Sequence, residues 1–272
     1  MIRILIMLPL LLVAHMAAAE PLTLTGDFVQ GGLIIGQTTK GAAVELNGSP
    51  LRVSDTGKFV FGFGRDFKSK ARLLVHLPDG TSVTRDLKIK PRVYKTEKLD
   101  GIPPSKVTPS QKFLARIRKE NGEIARIRAI DTAKSWFESG WVWPVTGRIS
   151  GVFGSQRVLN GIPKRPHFGL DIAAPRGTDV VASTDGVIRL AKPDLYYTGG
   201  TVMIDHGFGL VSVYSHMSKV VAKDGQFVKQ GTKIGEVGAT GRVTGPHLDW
   251  RLNWFKERLD PQLLMGSMSG AH

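Results

Sequence analysis

Four of the seven histidines fall between His167 and His247, in a chain that contains no cysteine. His167-Phe168-Gly169-Leu170-Asp171 sets an imidazole and a carboxylate four residues apart at the entry to an extended stretch. His247-Leu248-Asp249 places two polar side chains at i and i+2, hence on one face of a strand. His216 closely follows a strand-like run that ends in Tyr214. Without thiolates, a zinc site needs imidazole and carboxylate donors converging on one sheet. Three such donors leave a fourth position for water, which is the arrangement of a hydrolytic metal centre. The absence of cysteine also excludes disulfide staples, iron–sulfur clusters and a cysteine nucleophile.

Several segments in order carry a more specific signal. They are His167-x-x-x-Asp171, Val202 to Gly207, Tyr214-Ser215-His216-Met217, Val228-Lys229-Gln230-Gly231, and Gly241-Arg242-Val243-Thr244-Gly245-Pro246-His247. Together, over roughly Trp141 to Pro261, they resemble the LytM/lysostaphin-type (M23) family of zinc metallopeptidases that cut peptidoglycan peptides. The resemblance implies that His167 and Asp171 are zinc ligands. It further implies that His216 and His247 handle protons and steady the tetrahedral intermediate.

The resemblance breaks at the third ligand. The family usually reads His-x-His-Phe-Glu, whereas this chain reads His247-Leu248-Asp249-Trp250-Arg251. In one reading Asp249 is itself a ligand, since its oxygen lies as many bonds from Cα as the Nδ1 of a histidine does. One imidazole and two carboxylates would then hold the ion, making it a weaker Lewis acid, with an alkaline-shifted rate profile or tolerance for Mn²⁺. In the other reading Asp249 pairs with Arg251 on the same strand face, metal binds poorly, and the domain is a folded relic that binds the wall or activates another murein hydrolase.

Other polar residues carry less. His206 at a strand end reads as structural, with Asp205 a carboxylate able to orient an imidazole. Ser215 beside His216 is discounted as a nucleophile, because adjacent strand residues face opposite ways. Gly238-Ala239-Thr240-Gly241 lacks the helix and Lys-Ser/Thr of a phosphate loop. Tyr196, Tyr197, Trp250 and Trp254 either line a groove or fill the core.

The elements that must position these groups read as mainly β. Residues 20–92 carry short alternating runs (Leu22–Thr25, Ala43–Leu46, Phe59–Phe61, Ala71–Val75, Ser82–Thr84) separated by Asn47-Gly48, Asp55-Thr56-Gly57 and Pro78-Asp79-Gly80, which predicts a small β-sandwich that binds or spaces. Its lone histidine, His76, reads as structural. Residues 93–140 form a linker with an amphipathic helix, opened by a Thr108-Pro109-Ser110-Gln111 capping box and carrying Phe113, Ile117, Ile124, Ile127 and Ile130 at helical spacing. Residues 141–264 return to glycine-punctuated strands, the expected LytM-like antiparallel peptidase domain, and 265–272 form a tail.

The chain has 272 residues with 42% hydrophobic and 22% charged, enough for two cored units and unlike a disordered protein. Met1-Ile2-Arg3, the apolar run Ile4 to Val13 and Ala17-Ala18-Ala19 read as a cleaved secretory signal over residues 1–19, too short to span a bilayer. Its removal takes away Arg3 alone, lowering the formal charge from +14 to +13. An exported basic protein points to the anionic wall of a Gram-negative type periplasm rather than to nucleic acid. The expectation is a periplasmic peptidoglycan endopeptidase using one Zn²⁺ ion or another divalent metal, with no stable membrane span in the mature protein. The alternative is a degenerate relative that binds wall or serves a murein hydrolase partner.

Overall fold

The computed structural model describes residues 20–268; the expected export signal (1–19) and the last four residues of the tail lie outside them. Among the described residues no helix is long and apolar enough to cross a membrane. The chain is mainly β, as its alternation predicts.

Near the N-terminus, a three-stranded antiparallel sheet (Leu22–Gly26, Leu33–Thr38, Lys58–Gly62) faces a four-stranded one (Ser49–Leu51, Ala43–Leu46, Lys70–His76, Ser82–Lys88). Phe59, Phe61, Phe63, Leu73 and Val75 fill the space between them. Alternation along Lys58–Gly62 sends Phe59 and Phe61 into that core, while Val60 points the other way. Val60 and Leu33 join Phe137, Leu210, Leu252 and Leu259 in a second cluster, so the sandwich is docked on the C-terminal half. Arg92 reinforces the contact through Asp260, at 2.8 Å.

The helix runs from Gln111 to Arg128 and rests Ile127 on Leu190, Met203, Val211 and Val213. The expected capping box does not form. Thr108 instead ends a one-turn helix, Pro104–Val107, and Ser110 precedes the long helix without a side-chain cap bond. The linker also contains a strand, Thr96–Leu99, that its composition did not announce.

The C-terminal half is built on an eight-stranded antiparallel sheet. Its order is Phe227–Val228, Gly186–Leu195, Gly199–Gly207, Leu210–Met217, Leu248–Trp254, Leu170–Ala173, Arg148–Gly151, with Glu257–Leu259 beside Leu248–Trp254. A smaller sheet (Asp179–Val181, Lys233–Glu236, Lys219–Val220) covers it over Ile172, Ile188, Val202, Tyr214, Ile234 and Trp250. Register then places the chemistry. Asp171 lies directly opposite Asp249, and Ser215 opposite Asp249 on its other side.

Candidate metal centre

Direct opposition in an antiparallel pair puts the side chains of Asp171 and Asp249 on one face within contact distance. His167 enters from the preceding loop, held where its N–H donates to the Ser155 carbonyl and its own carbonyl accepts from Gly154, each at 2.8 Å. One donor atom from each of His167, Asp171 and Asp249 lies within 4.8 Å of the others, and all three residues are buried. Two glycines make room for the carboxylates. A Cβ at Gly169 would overlap the Asp249 carboxylate, and one at Gly151 the Asp171 carboxylate. Neither glycine is in the left-handed region, so space rather than backbone conformation demands them.

His216 reaches the same face by an irregular route. The next residue in an undistorted strand would turn away from Ser215, but His216 adopts φ 69°, a left-handed conformation that costs a bulky residue roughly 1–2 kcal/mol. Its N–H donates to Thr198 and its Nδ1 lies 2.8 Å from the Thr240 carbonyl. A carbonyl only accepts, so Nδ1 carries the proton and Nε2 is left as a lone pair, 3.8 Å from Asp249 Oδ2. Burial drives the His216 imidazole down to about 4, keeping it neutral near pH 7. His247 repeats the pattern. Its Nδ1 faces the Gly245 carbonyl at 2.9 Å, its Nε2 stands 3.8 Å from Asp171 Oδ1, and the two rings are 4.9 Å apart.

The site contains two guanidinium groups. Arg251 grips Asp249 through Nε, 3.0 Å from both oxygens, and through Nη2 to Oδ2. Arg157 donates from Nη2 to Asp171 Oδ2 at 2.5 Å. Burial alone would raise both carboxyls, but Arg251 and His167 hold Asp249 well below the usual range, and His167 with Arg157 lowers Asp171. Burial would likewise lower His167, yet the two carboxylates outweigh it and raise its affinity for a proton. Two carboxylates against two guanidiniums leave the cluster formally neutral before any cation enters. The charge deficit expected from sequence is therefore offset.

These residues fit a divalent cation. His167 Nε2 and Asp171 Oδ1 are only 3.0 Å apart, yet both are buried without a hydrogen-bond partner, and Asp249 Oδ1 stands 3.5 Å from the same nitrogen. Unpaired buried donors and acceptors cost free energy unless something fills the space between them. An imidazole with two carboxylates is an accepted donor set for zinc or a harder metal. The Arg251 pair and the ligand role are not exclusive, since a carboxylate carries about four acceptor positions.

The other polar residues separate cleanly. His206 is fully buried between the Asp185 carbonyl and Ser212 Oγ, each 2.7 Å away, far from the donors in role. Asp205 is tied to Arg189, Thr132 and the Gly207 N–H and orients no imidazole. Exposed His76 pairs with Ser82 across a strand, at 3.0 Å. Trp250 and Tyr196 are core residues, whereas Tyr197 lies under Arg242. Sequence reasoning missed Arg157 and Glu97, which no local pattern marks, and gave no role to Arg242 within the Gly241–His247 segment. The three line a cavity of about 110 Å³ with Asp171, His216 and His247.

Residues 165–261 match the profile of Peptidase family M23. Peptidoglycan DD-endopeptidase ShyA of Vibrio cholerae is 46% identical over 107 residues, which is 39% of this chain and 24% of the relative. Cell division protein DipM of Caulobacter vibrioides is 39% identical over 131 residues, 46% of this chain and 21% of the relative. The chain thus spans about a quarter of the length of these curated relatives or less. A crystal structure of a candidate M23 peptidase from Pseudomonas aeruginosa superposes with a TM-score of 0.68 at 28% identity, over 88% of this chain and 96% of that one. From its profile match, its homologues and this shared architecture, the chain carries a domain of peptidase family M23.

Proposed function

We propose that the protein is a metal-dependent endopeptidase that hydrolyses peptide bonds in the stem peptides or cross-links of periplasmic peptidoglycan. One ion, zinc in this reading, is held by His167, Asp171 and Asp249. When bound, the ion supplies Lewis acidity toward the scissile carbonyl and the attacking water. His216 Nε2, a lone pair kept neutral by burial, accepts a proton as water attacks. The same His216 nitrogen then returns that proton to the leaving amine, while His247, whose Nε2 faces the same centre, stabilises charge developing on the carbonyl oxygen when that nitrogen carries a proton. The basic surface, formally +14 over the whole chain, favours encounter with an anionic wall. Catalysis is assigned to residues 141–264, export to the signal over residues 1–19, and wall contact or spacing to the sandwich of residues 20–92.

The observation that carries this reading is the pair of buried, unbonded atoms His167 Nε2 and Asp171 Oδ1, with Asp249 beside them and two imidazoles turned inward. Incubating purified murein with zinc-loaded protein should release new amino ends, and chelator should stop the release. No release from zinc-loaded protein would refute it.

One observation favours a second reading. Arg157 and Arg251 already neutralise both carboxylates, as in a salt-bridge network that has replaced an ion. A degenerate protein of that kind would pull down intact murein, release nothing, and act beside a murein hydrolase partner.

A further inference from the structure

The linker is not clear of the centre. Its strand Thr96–Leu99 pairs in parallel with Gln156–Leu159, setting Glu97 opposite Arg157. The next residues are clamped to the same edge. Ile102 exchanges two hydrogen bonds with the Asn160 side chain, at 3.2 and 2.6 Å, and packs with Leu99, Val107 and Leu159. Glu97, Leu99 and Ile102 thereby wall the cavity of about 110 Å³ shared with Asp171, His216 and His247. The linker strand thus occupies the sheet edge beside the centre.

Two guanidiniums line that space with donors to spare. Arg157 spends Nη2 on Asp171, but its Nε is buried with no hydrogen-bond partner. Glu97 Oε2 lies 3.7 Å from it, near enough for charge attraction and too far for a bond. Arg242 reaches only the Lys106 carbonyl at 3.5 Å and the Tyr197 ring at 4.6 Å among the described residues. Arg242, bonded to no carboxylate among the described residues, is open to one, because its fork matches carboxylate geometry.

We propose that Arg157 and Arg242 form a carboxylate-recognition subsite beside the metal centre, selecting peptides that carry an acidic group near the scissile bond, and that Glu97 holds this subsite in the closed chain. The inference rests on the peptidase reading for its substrate class. Glu97 is a resident stand-in: a peptide carboxylate replaces it at Arg157, and the Thr96–Leu99 strand leaves the edge that the peptide then uses.

The test reads binding, not turnover, in chelator-treated full chain at about 0.15 M salt. The probes are a fluorescein-labelled Ala-Glu-Lys-Ala peptide with free carboxylates and its fully amidated counterpart, followed by anisotropy. Glu97→Gln should bind the acidic peptide about tenfold more tightly than the unaltered chain does, with no gain for the amide. Adding Arg242→Gln should abolish the preference for acid over amide. Should that variant not fold, Arg242→Lys, which keeps the charge without the fork, should reduce the preference. Equal binding of both peptides by Glu97→Gln, no binding of either, or an acid preference that survives the Arg242 changes would overturn the subsite. A protein with the preference and no murein hydrolysis would refute the peptidase reading and leave the subsite standing.

Discussion

Replacing Arg251 by methionine separates the two roles open to Asp249. The Asp249 side chain is 1% exposed and that of Arg251 29%, so the two halves of the pair are not equivalent. Arg251→Met strands a fully buried anion whose remaining polar neighbours are His167, 3.5 Å away, and His216, 3.8 Å away. An uncompensated buried charge costs about 3–5 kcal/mol, and the nearby His167 imidazole places this one at the low end, about 3 kcal/mol. Asp249→Asn leaves instead a guanidinium with a route to water, at about 1–2 kcal/mol. For a chain of this size each kcal/mol moves Tm by about 2–4 °C, so the chelated variants should lose about 6–12 °C and 2–8 °C respectively. If Asp249 is a metal donor, zinc satisfies the stranded anion. At a hundred times Kd it should return about 2.7 kcal/mol to Arg251→Met, or about 5–10 °C, and far less to Asp249→Asn. The assay is thermal denaturation with and without zinc, with metal content measured on the same samples. Equal zinc-induced shifts in the two variants would show that Asp249 serves Arg251 alone, and the donor assignment fails.

Three further outcomes follow from particular contacts. His216→Ala should lower murein hydrolysis by about 10²–10⁴ without lowering zinc content, because its Nε2 moves a proton and holds no ion; zinc loss measured on the purified variant would contradict that. His206, held down to about 4 by burial, binds its proton later than the unfolded chain does at about 6.5. The share of stability tied to His206 should therefore fall by about 3 kcal/mol as pH drops from about 6.5 to about 4, and denaturant titrations of His206→Asn should show the slope reduced by about one proton. Gly36→Ala should cost about 1–3 kcal/mol in urea unfolding, since the added Cβ overlaps the fully buried Phe59 ring; an unchanged midpoint would mean the sandwich core absorbs the methyl group freely.

Where local physics dominates, the elements were legible. Asn47 and Gly48 have φ of 50° and 77°, the two left-handed positions that an Asn-Gly hairpin turn supplies, and strands flank them as the alternation requires. Leu33–Thr38 escaped notice because glycines at 31, 32 and 36 break the alternation. Gly36 is there to admit the Phe59 ring, a cross-strand demand that no local window contains. Thr108 illustrates the opposite error. Its capping-box spacing was right for a helix start, but the preceding turn Pro104–Val107 claimed it as an end. The strand Thr96–Leu99 exists because Gln156–Leu159 offers it an edge, and its own residues carry no strand signal strong enough to predict it.

Donor chemistry belongs to residue identity, so the imidazoles and carboxylates, their order along the chain and the substitution of Asp249 for a histidine were all readable without coordinates. Distance belongs to register and burial. Asp171 faces Asp249 because two strands far apart in sequence pair at that position, and His216 turns inward because its backbone is held at φ 69°. The same long-range packing brought Arg157 to Asp171, and Glu97 with Arg242 to the cavity beside them. Charges of that kind change a metal centre by several kcal/mol in a low-dielectric interior, and only the folded chain decides which of them are near enough to count.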